Sequence, residues 1–238
     1  MQLILLLEAL NGFLFSSDYL KINLNSSILL ETLICFTIPA LVWSLLKRPL
    51  TLAAQVLPLR RQLNLFKYDE SLFQQSLSKQ ARFAVGKDLM PIILGNYDAE
   101  MIITIVSNPY CSPCAIAHLS LDELLKKRKD LQLRIVFISA NEDDDARTKV
   151  ARHIIALNMF KDTEIVKAAL NDWYFQITKY EDWIEKFPVE YNEEVAEATS
   201  RQKDWCEMAE IDYTPAILIN GYKLPDPYRV EDLEFLIN

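Results

Sequence analysis

Apolar residues are unevenly spread along this chain of 238 residues. Residues 27–46 (SILLETLICFTIPALVWSLL) form an apolar run broken only by Glu31 and small polar residues. Its length matches the roughly 20 residues that a helix needs to cross hydrocarbon, so the pattern predicts a transmembrane helix. Trp43 sits where an indole ring favours the interface, and Lys47 and Arg48 would stop the span at the headgroups. Residues 2–15 (QLILLLEALNGFLF) are also apolar, but they are short and carry Glu8 and Asn11. They lack the basic start and small-residue cleavage site of a secretory signal and read as a second, partial or re-entrant membrane segment. From 51 to about 87 the sequence mixes Arg60, Arg61, Lys67 and Lys79 with Leu and Phe, which predicts an amphipathic helical connector at the membrane surface.

Beyond this point strands and helices alternate. Residues 101–106 (MIITIV) and 131–139 (LQLRIVFIS) are apolar on both faces, as buried strands are. Between them, residues 115–129 space Ile116, Leu119 and Leu124 as a helix does and close on Lys126, Lys127, Arg128 and Lys129, which suit a helix C-terminus. A strand, helix, strand unit follows. Residues 143–210 are helical in pattern, with a boundary at Pro188; Asp143, Asp144 and Asp145 fit a helix start better than a metal site. Residues 216–220 (AILIN), a turn at Gly221 and residues 222–224 predict an antiparallel hairpin, with a last helix from about Val230. The expected organisation is membrane segments at 1–50, a connector at 51–87, and an α/β domain at 88–238 with a helical insertion at 143–210.

Charge follows the same division. The net charge is −8, but residues 1–80 carry +2 and residues 81–238 carry −10. An acidic domain offers no footprint for a phosphate backbone, so nucleic acid is excluded as a partner, and the basic cluster at 126–129 reads as a solvated helix end. Four glycines are too few for Gly-rich phosphate loops, which argues against nucleotide cofactors. The remaining chemistry lies with four cysteines, Cys35, Cys111, Cys114 and Cys206, and two histidines, His118 and His153.

Cys111-Ser112-Pro113-Cys114 follows a strand and opens a helix, the placement that makes a C-x-x-C specific. The thiolate is the nucleophile in disulfide exchange, and a free cysteine, with a pKa of about 8.5, needs help to form it. Cys111 stands where free N–H groups and the positive end of the helix dipole supply that help. Cys114, almost one turn on, can pair with Cys111 but is more shielded. Cys111 is therefore assigned as the attacking thiol and Cys114 as the resolving one. Pro113 fits the first helical turn, and Ser112 has no adjacent base that would make it a nucleophile. A zinc site would need two further ligands in a second C-x-x-C or an H-x₃-H, and neither occurs, so no metal is expected. His118 lies one turn beyond Cys114 and could face the pair, although a lone helical histidine is ordinarily a surface or core residue. Cys206 reads as a buried structural thiol.

With Tyr213-Thr214-Pro215 placed directly before the AILIN strand, the chain resembles the thioredoxin superfamily, in which a Thr-Pro with a cis proline lies against the C-x-x-C. The resemblance implies a thioredoxin-like fold and a loop at Thr214 and Pro215 where a substrate chain docks; Tyr213, Ser112 and Pro113 join that substrate-facing set. NPYCSPCAIAH, the helical insertion and DWCEMAEIDYTPAILINGYKLPDPYRVEDLEFLI are more narrowly similar to the thioredoxin-like domain fused behind bacterial vitamin K epoxide reductase homologues. That likeness implies a membrane-anchored thiol–disulfide oxidoreductase acting on protein thiols, with no diffusible cofactor and with a vitamin K epoxide reductase-like membrane domain as partner.

The chain departs from this pattern in two respects. Its apolar region holds Cys35 alone where the fusions carry a cysteine pair, so it is expected to be the C-terminal part of a fusion or the partner of a separate membrane protein. Ile105 stands six residues before Cys111, where many thioredoxin-like proteins place a buried acid. The positive-inside tendency of Lys47, Arg48, Arg60 and Arg61 would put the redox domain in the cytoplasm, whereas the resemblance puts it on the periplasmic side of the inner membrane; the latter is adopted, because large domains translocate despite flanking charge. The competing reading is a non-catalytic binding module with a static disulfide.

Overall fold

The structure, a computed structural model, describes residues 26–176, 179–190 and 192–237. The chain divides into two compact units, Met1–Gln62 and Leu63–Asn238. The membrane segment expected at 2–15 lies outside the described residues.

Helix α1 (Ser26–Lys67) accounts for every described residue of the first unit. By length and composition it can cross a membrane, with a mean hydropathy of 1.4 and no buried residue in its apolar window. It runs unbroken through residues 47–51, where the sequence predicts the end of one element and the start of another. Lys47, Arg48 and Leu50 are good helix formers, so the change from apolar to charged residues does not end the helix, although Pro49 removes one N–H from its ladder. Pro39, Pro49 and Pro58 each lie within it.

In the second unit, α2 (Glu70–Ser78) is capped by Asp69, whose carboxylate accepts the Leu72 N–H at 3.0 Å. Phe73 and Leu77 are buried in the core. Just before it, Lys67 forms an ion pair with Asp232 at 2.6 Å, and the Tyr68 hydroxyl donates to the same carboxylate at 2.9 Å. Within residues 67–78, Phe73 and Leu77 are buried while Glu70, Ser71, Leu72, Gln74 and Gln75 stay exposed.

Five strands form one sheet in the order β1-β3-β2-β4-β5: β1 (Ile92–Gly95), β2 (Met101–Ser107), β3 (Leu131–Phe137), β4 (Ala216–Ile219) and β5 (Tyr222–Lys223). β2 and β3 are parallel, joined by α3 (Ser112–Lys127), and β1 lies antiparallel on the outer side of β3. β4 runs antiparallel to β2, with Val106 opposite Ala216, and β5 antiparallel to β4. The predicted hairpin turns at Asn220 (φ 49°) and Gly221 (φ 89°), two left-handed residues of the kind tight hairpins use. A Cβ at Gly221 would lie 2.8 Å from the Phe83 carbonyl oxygen. β1 escaped the sequence reading because its four residues, after Pro91, are too few to show a period.

Both sheet faces are covered, which explains the unbroken apolar runs of β2 and β3. Ile105 and Ile135 point into the larger core, while Val106, Val136 and Leu218 meet Trp205 and Cys206 on the other face. Among the described residues between β3 and β4 stand four helices, α4 (Ala146–Phe160), α5 (Thr163–Phe175), α6 (Tyr180–Lys186) and α7 (Glu193–Met208). Asp145 caps α4 by accepting the Thr148 N–H, and Asp143 pairs with Arg152 at 2.6 Å, so these acids serve a helix start as expected. At the end of α3, Lys126 pairs with Asp122, Lys127 with Glu234 and Arg128 with Asp130. The chain closes on a 3₁₀ turn (Val230–Asp232) and α8 (Leu233–Leu236).

Gln202 of α7 joins two segments that no strand connects. Its buried side chain accepts the Phe137 N–H at 2.9 Å and donates to the Leu89 carbonyl at 2.8 Å. Gln202→Leu keeps the volume but strands both backbone groups, and should cost about 2–4 kcal/mol in denaturant unfolding; a change of less than about 0.5 kcal/mol would show that these bonds are not needed.

Candidate functional site

Because β4 is antiparallel to β2, the loop that leaves β2 and the loop that enters β4 meet at the same end of the sheet. Asn108 shapes the first loop: its side chain accepts the Tyr110 N–H at 2.9 Å, and its carbonyl accepts the Cys111 N–H at 3.1 Å. Cys111 is the N-cap of α3, and its sulfur accepts the Cys114 N–H at 3.3 Å. In the facing loop the Thr214–Pro215 bond is cis, and the Thr214 carbonyl accepts from the Cys111 thiol at 3.4 Å. The residues that the sequence paired across about a hundred positions are in direct contact.

The two thiols differ in environment. Burial works against a Cys111 thiolate, but hydrogen bonds from the Cys114 thiol, the Thr214 side chain and the Cys114 N–H outweigh it, and the pKa lies below the ordinary thiol value. Cys114 is fully buried, and burial pushes its thiol up to about 11. All four cysteines are free thiols; Cys206, buried among Trp205 and Val136, is likewise raised to about 12 by burial, and Cys35 is exposed on α1. Among the described residues no group of His, Cys, Asp and Glu has a metal-binding arrangement.

Pro113, Tyr213 and Pro215 line one cavity of about 350 Å³, together with Ile116, Leu224 and Tyr228. Tyr213 is 69% exposed, on the same cavity as Pro113 and Pro215. Ser112 is exposed at the first position of α3, outside that cavity.

Ser107 is the residue of the site that the sequence reading did not single out; Trp173, Tyr174 and His118 join it there. The Trp173 indole N–H donates to the Pro109 carbonyl at 2.8 Å, and its ring meets Tyr110 edge-on at 5.4 Å. The Tyr174 hydroxyl lies 2.7 Å from Ser107 Oγ, and the His118 Nε2 lies 3.0 Å from the same oxygen. His118 stacks on Tyr174 at 4.6 Å, and burial lowers its pKa to about 4. These are contacts between α5 and the active-site loop, and an aromatic in a helix that serves a loop has the same sequence pattern as one that fills a core. Trp183, by contrast, is a core residue, 1% exposed.

A family model described as thioredoxin matches residues 87–238. The chain belongs to the thioredoxin family. Its fold is similar to the catalytic domain of Proteus mirabilis ScsC, at 15% identity and a TM-score of 0.55, over 69% of this chain and 96% of that one. It is also similar to a periplasmic thioredoxin-like protein from Salmonella enterica serovar Typhimurium (15% identity, TM-score 0.54, 70% and 94% covered). Oxidised BdbD from Bacillus subtilis aligns at 12% identity and a TM-score of 0.51, over 66% of this chain and 93% of that one. At these identities the likeness is one of fold. No curated protein matches the sequence.

The asymmetry of the thiols has a measurable consequence. Because the Cys111 pKa is depressed, its alkylation should stay fast below the range where ordinary thiols become protonated, and slow only as pH falls through that lowered value. Cys114 should resist alkylation until pH approaches about 11. Iodoacetamide labelling followed by peptide mass spectrometry across pH checks this, and equal labelling of both residues at neutral pH would contradict it.

Proposed function

We propose that this protein is a membrane-anchored thiol–disulfide oxidoreductase that exchanges disulfides with protein substrates through Cys111 and Cys114. The observation that carries the reading is the placement of Cys111 at the N-terminus of α3 with its sulfur 3.4 Å from the Thr214 carbonyl, beside the cis Pro215. One sulfur is activated and open to a substrate; the other is buried one turn behind it.

In the reducing direction, the Cys111 thiolate attacks a substrate disulfide, a mixed disulfide forms and one substrate thiolate leaves. Cys114 then attacks the Cys111 sulfur, which forms the Cys111–Cys114 disulfide and releases the second substrate thiolate. Two electrons have passed from the chain to the substrate, and oxidation of a substrate runs the same steps backwards. Thr214 and Pro215 would align the substrate backbone, with Tyr213, Ser112 and Pro113 around it. No diffusible cofactor enters these steps.

The resemblance to reductase fusions supports electron flow from folding substrates through Cys111–Cys114 to a vitamin K epoxide reductase-like membrane partner. The long apolar helix α1 supports anchoring. Disulfide exchange with secreted substrates belongs outside the cytoplasm, which supports a periplasmic redox domain at the inner membrane.

The full chain in detergent should catalyse dithiothreitol-driven insulin reduction or oxidise a reduced test peptide. Cys111→Ser should abolish both, and Cys114→Ser should accumulate mixed disulfides on Cys111. Neither activity in the unmodified chain would leave a binding module with a static disulfide; trapping through Cys206 would overturn the assignment of the nucleophile. A membrane-impermeant thiol reagent applied to intact, pre-reduced cells should label Cys111. Labelling that appears only after lysis would sink the extracytoplasmic placement.

A further inference from the structure

One wall of the cavity beside the thiol pair comes from a segment that takes no part in the exchange chemistry. Pro113, Ile116, Pro215 and Leu224 give the cavity an apolar lining, and residues 228–231 complete it. Pro113 stands between the two cysteines and Pro215 follows the Thr214 carbonyl that meets Cys111, so the cavity adjoins the point where a substrate is attacked. Its volume of about 350 Å³ has room for a bulky apolar side chain. The wall at 228–231 is a loop that runs into one 3₁₀ turn, Val230–Asp232, which is too short to fix its own position.

Asp232 fixes it. The side chain is buried; one carboxylate oxygen accepts the Arg229 N–H at 2.8 Å and pairs with Lys67 at 2.6 Å, and the other accepts the Tyr68 hydroxyl at 2.9 Å. Lys67 is the last residue of α1, Tyr68 follows it, and both belong to the second unit. Two edge-on ring contacts lie on either side of this clasp: Phe73 with Tyr228 at 4.9 Å and Tyr68 with Phe235 at 5.3 Å. Burial penalises the Asp232 charge, but hydrogen bonds from Lys67, the Arg229 N–H and Tyr68 outweigh the penalty and keep its pKa below the usual carboxylate range. Without Lys67 the buried charge loses its counter-ion. The carboxylate then gains by turning toward water, and the turn that moves with it carries Arg229 and Tyr228 out of the cavity wall.

We infer that Asp232, clasped by Lys67 and Tyr68, is a positioning residue for the substrate cavity, so that the residues ending α1 set how tightly the protein takes a peptide with a bulky apolar residue beside its cysteine. The inference rests on the redox reading above and deepens it. It concerns the binding that precedes attack, because none of the three side chains is in contact with either thiol. A wall held in place before the substrate arrives spares the ordering cost that a loose one would add to binding.

The full chain, reduced and in detergent with Cys35→Ser, can be tested on two short peptides that differ only in having Leu or Gly on both sides of a cysteine held as its mixed disulfide with thionitrobenzoate. The Cys111 thiolate attacks the peptide sulfur, the peptide–Cys111 disulfide forms and coloured thionitrobenzoate leaves, so stopped-flow absorbance gives a half-saturating concentration and a maximal rate. Lys67→Met should raise the half-saturating concentration of the Leu peptide about fivefold and leave the maximal rate within about twofold. The Gly peptide and the small symmetric thionitrobenzoate disulfide should react as before, and Lys67→Arg, which keeps the ion pair, should behave as the unmodified chain. Tyr68→Phe removes a single hydroxyl and should give a smaller rise for the Leu peptide, about twofold, which serves where Lys67→Met does not fold. An unaltered half-saturating concentration in both variants, an equal loss for the Leu and Gly peptides, or a changed rate with the small disulfide would overturn the inference. An unmodified chain that releases no thionitrobenzoate from any of the three contradicts the redox reading itself; one that reacts without distinguishing Leu from Gly contradicts only the present inference.

Discussion

The antiparallel pairing of β2 with β4 is the constraint on which the site depends. Ile103 faces Ile219 and Val106 faces Ala216, so the C-terminal end of one strand lies beside the N-terminal end of the other. The residues just beyond those ends are 108–111 and 213–215, and the contact between Cys111 and Thr214 follows from register. A one-residue slip would turn the buried side chains of β4 to the opposite face, and all four of its residues are buried. The two core clusters hold the register, and through it they hold the site.

Upon that frame the helix start decides which sulfur reacts. Cys111 caps α3 and receives the Cys114 N–H, whereas Cys114 lies inside the first turn with its sulfur in the core. The same short segment thus lowers one pKa and raises the other. The four helices between β3 and β4 contribute from outside this turn. Trp173 ties Pro109 to α5, and Tyr174 ties the end of β2 to it, so the loop is braced by the helical insertion.

Much of this was legible in the sequence because it is encoded locally. β2 and β3 appear as apolar runs, the hairpin as Asn220-Gly221 between two short runs, and the active pair as a C-x-x-C between a strand and a helix. The cis peptide at Pro215 was legible through resemblance. What escaped depends on partners distant in the chain. Ser107 is an unremarked strand residue until Tyr174 arrives from 67 positions away. Trp173 reads as core until its N–H is found on Pro109, 64 positions back. Nothing within the sequence of α2 shows that Phe73 will meet Tyr228 edge-on at 4.9 Å.

The hydrogen-bonded group of Ser107, His118 and Tyr174 has different physics from a buried acid at the position that Ile105 occupies. A carboxylate there could carry a proton, but when ionised it would repel the thiolate that the reaction must form, in surroundings where charges are poorly screened. Ser107, His118 and Tyr174 carry no charge at neutral pH, because burial lowers His118 to about 4 and raises Tyr174 above its ordinary range. With an apolar residue at Ile105, the proton that Cys114 gains or loses must pass to solvent or to another group, and burial of that thiol makes the transfer the harder part of the exchange.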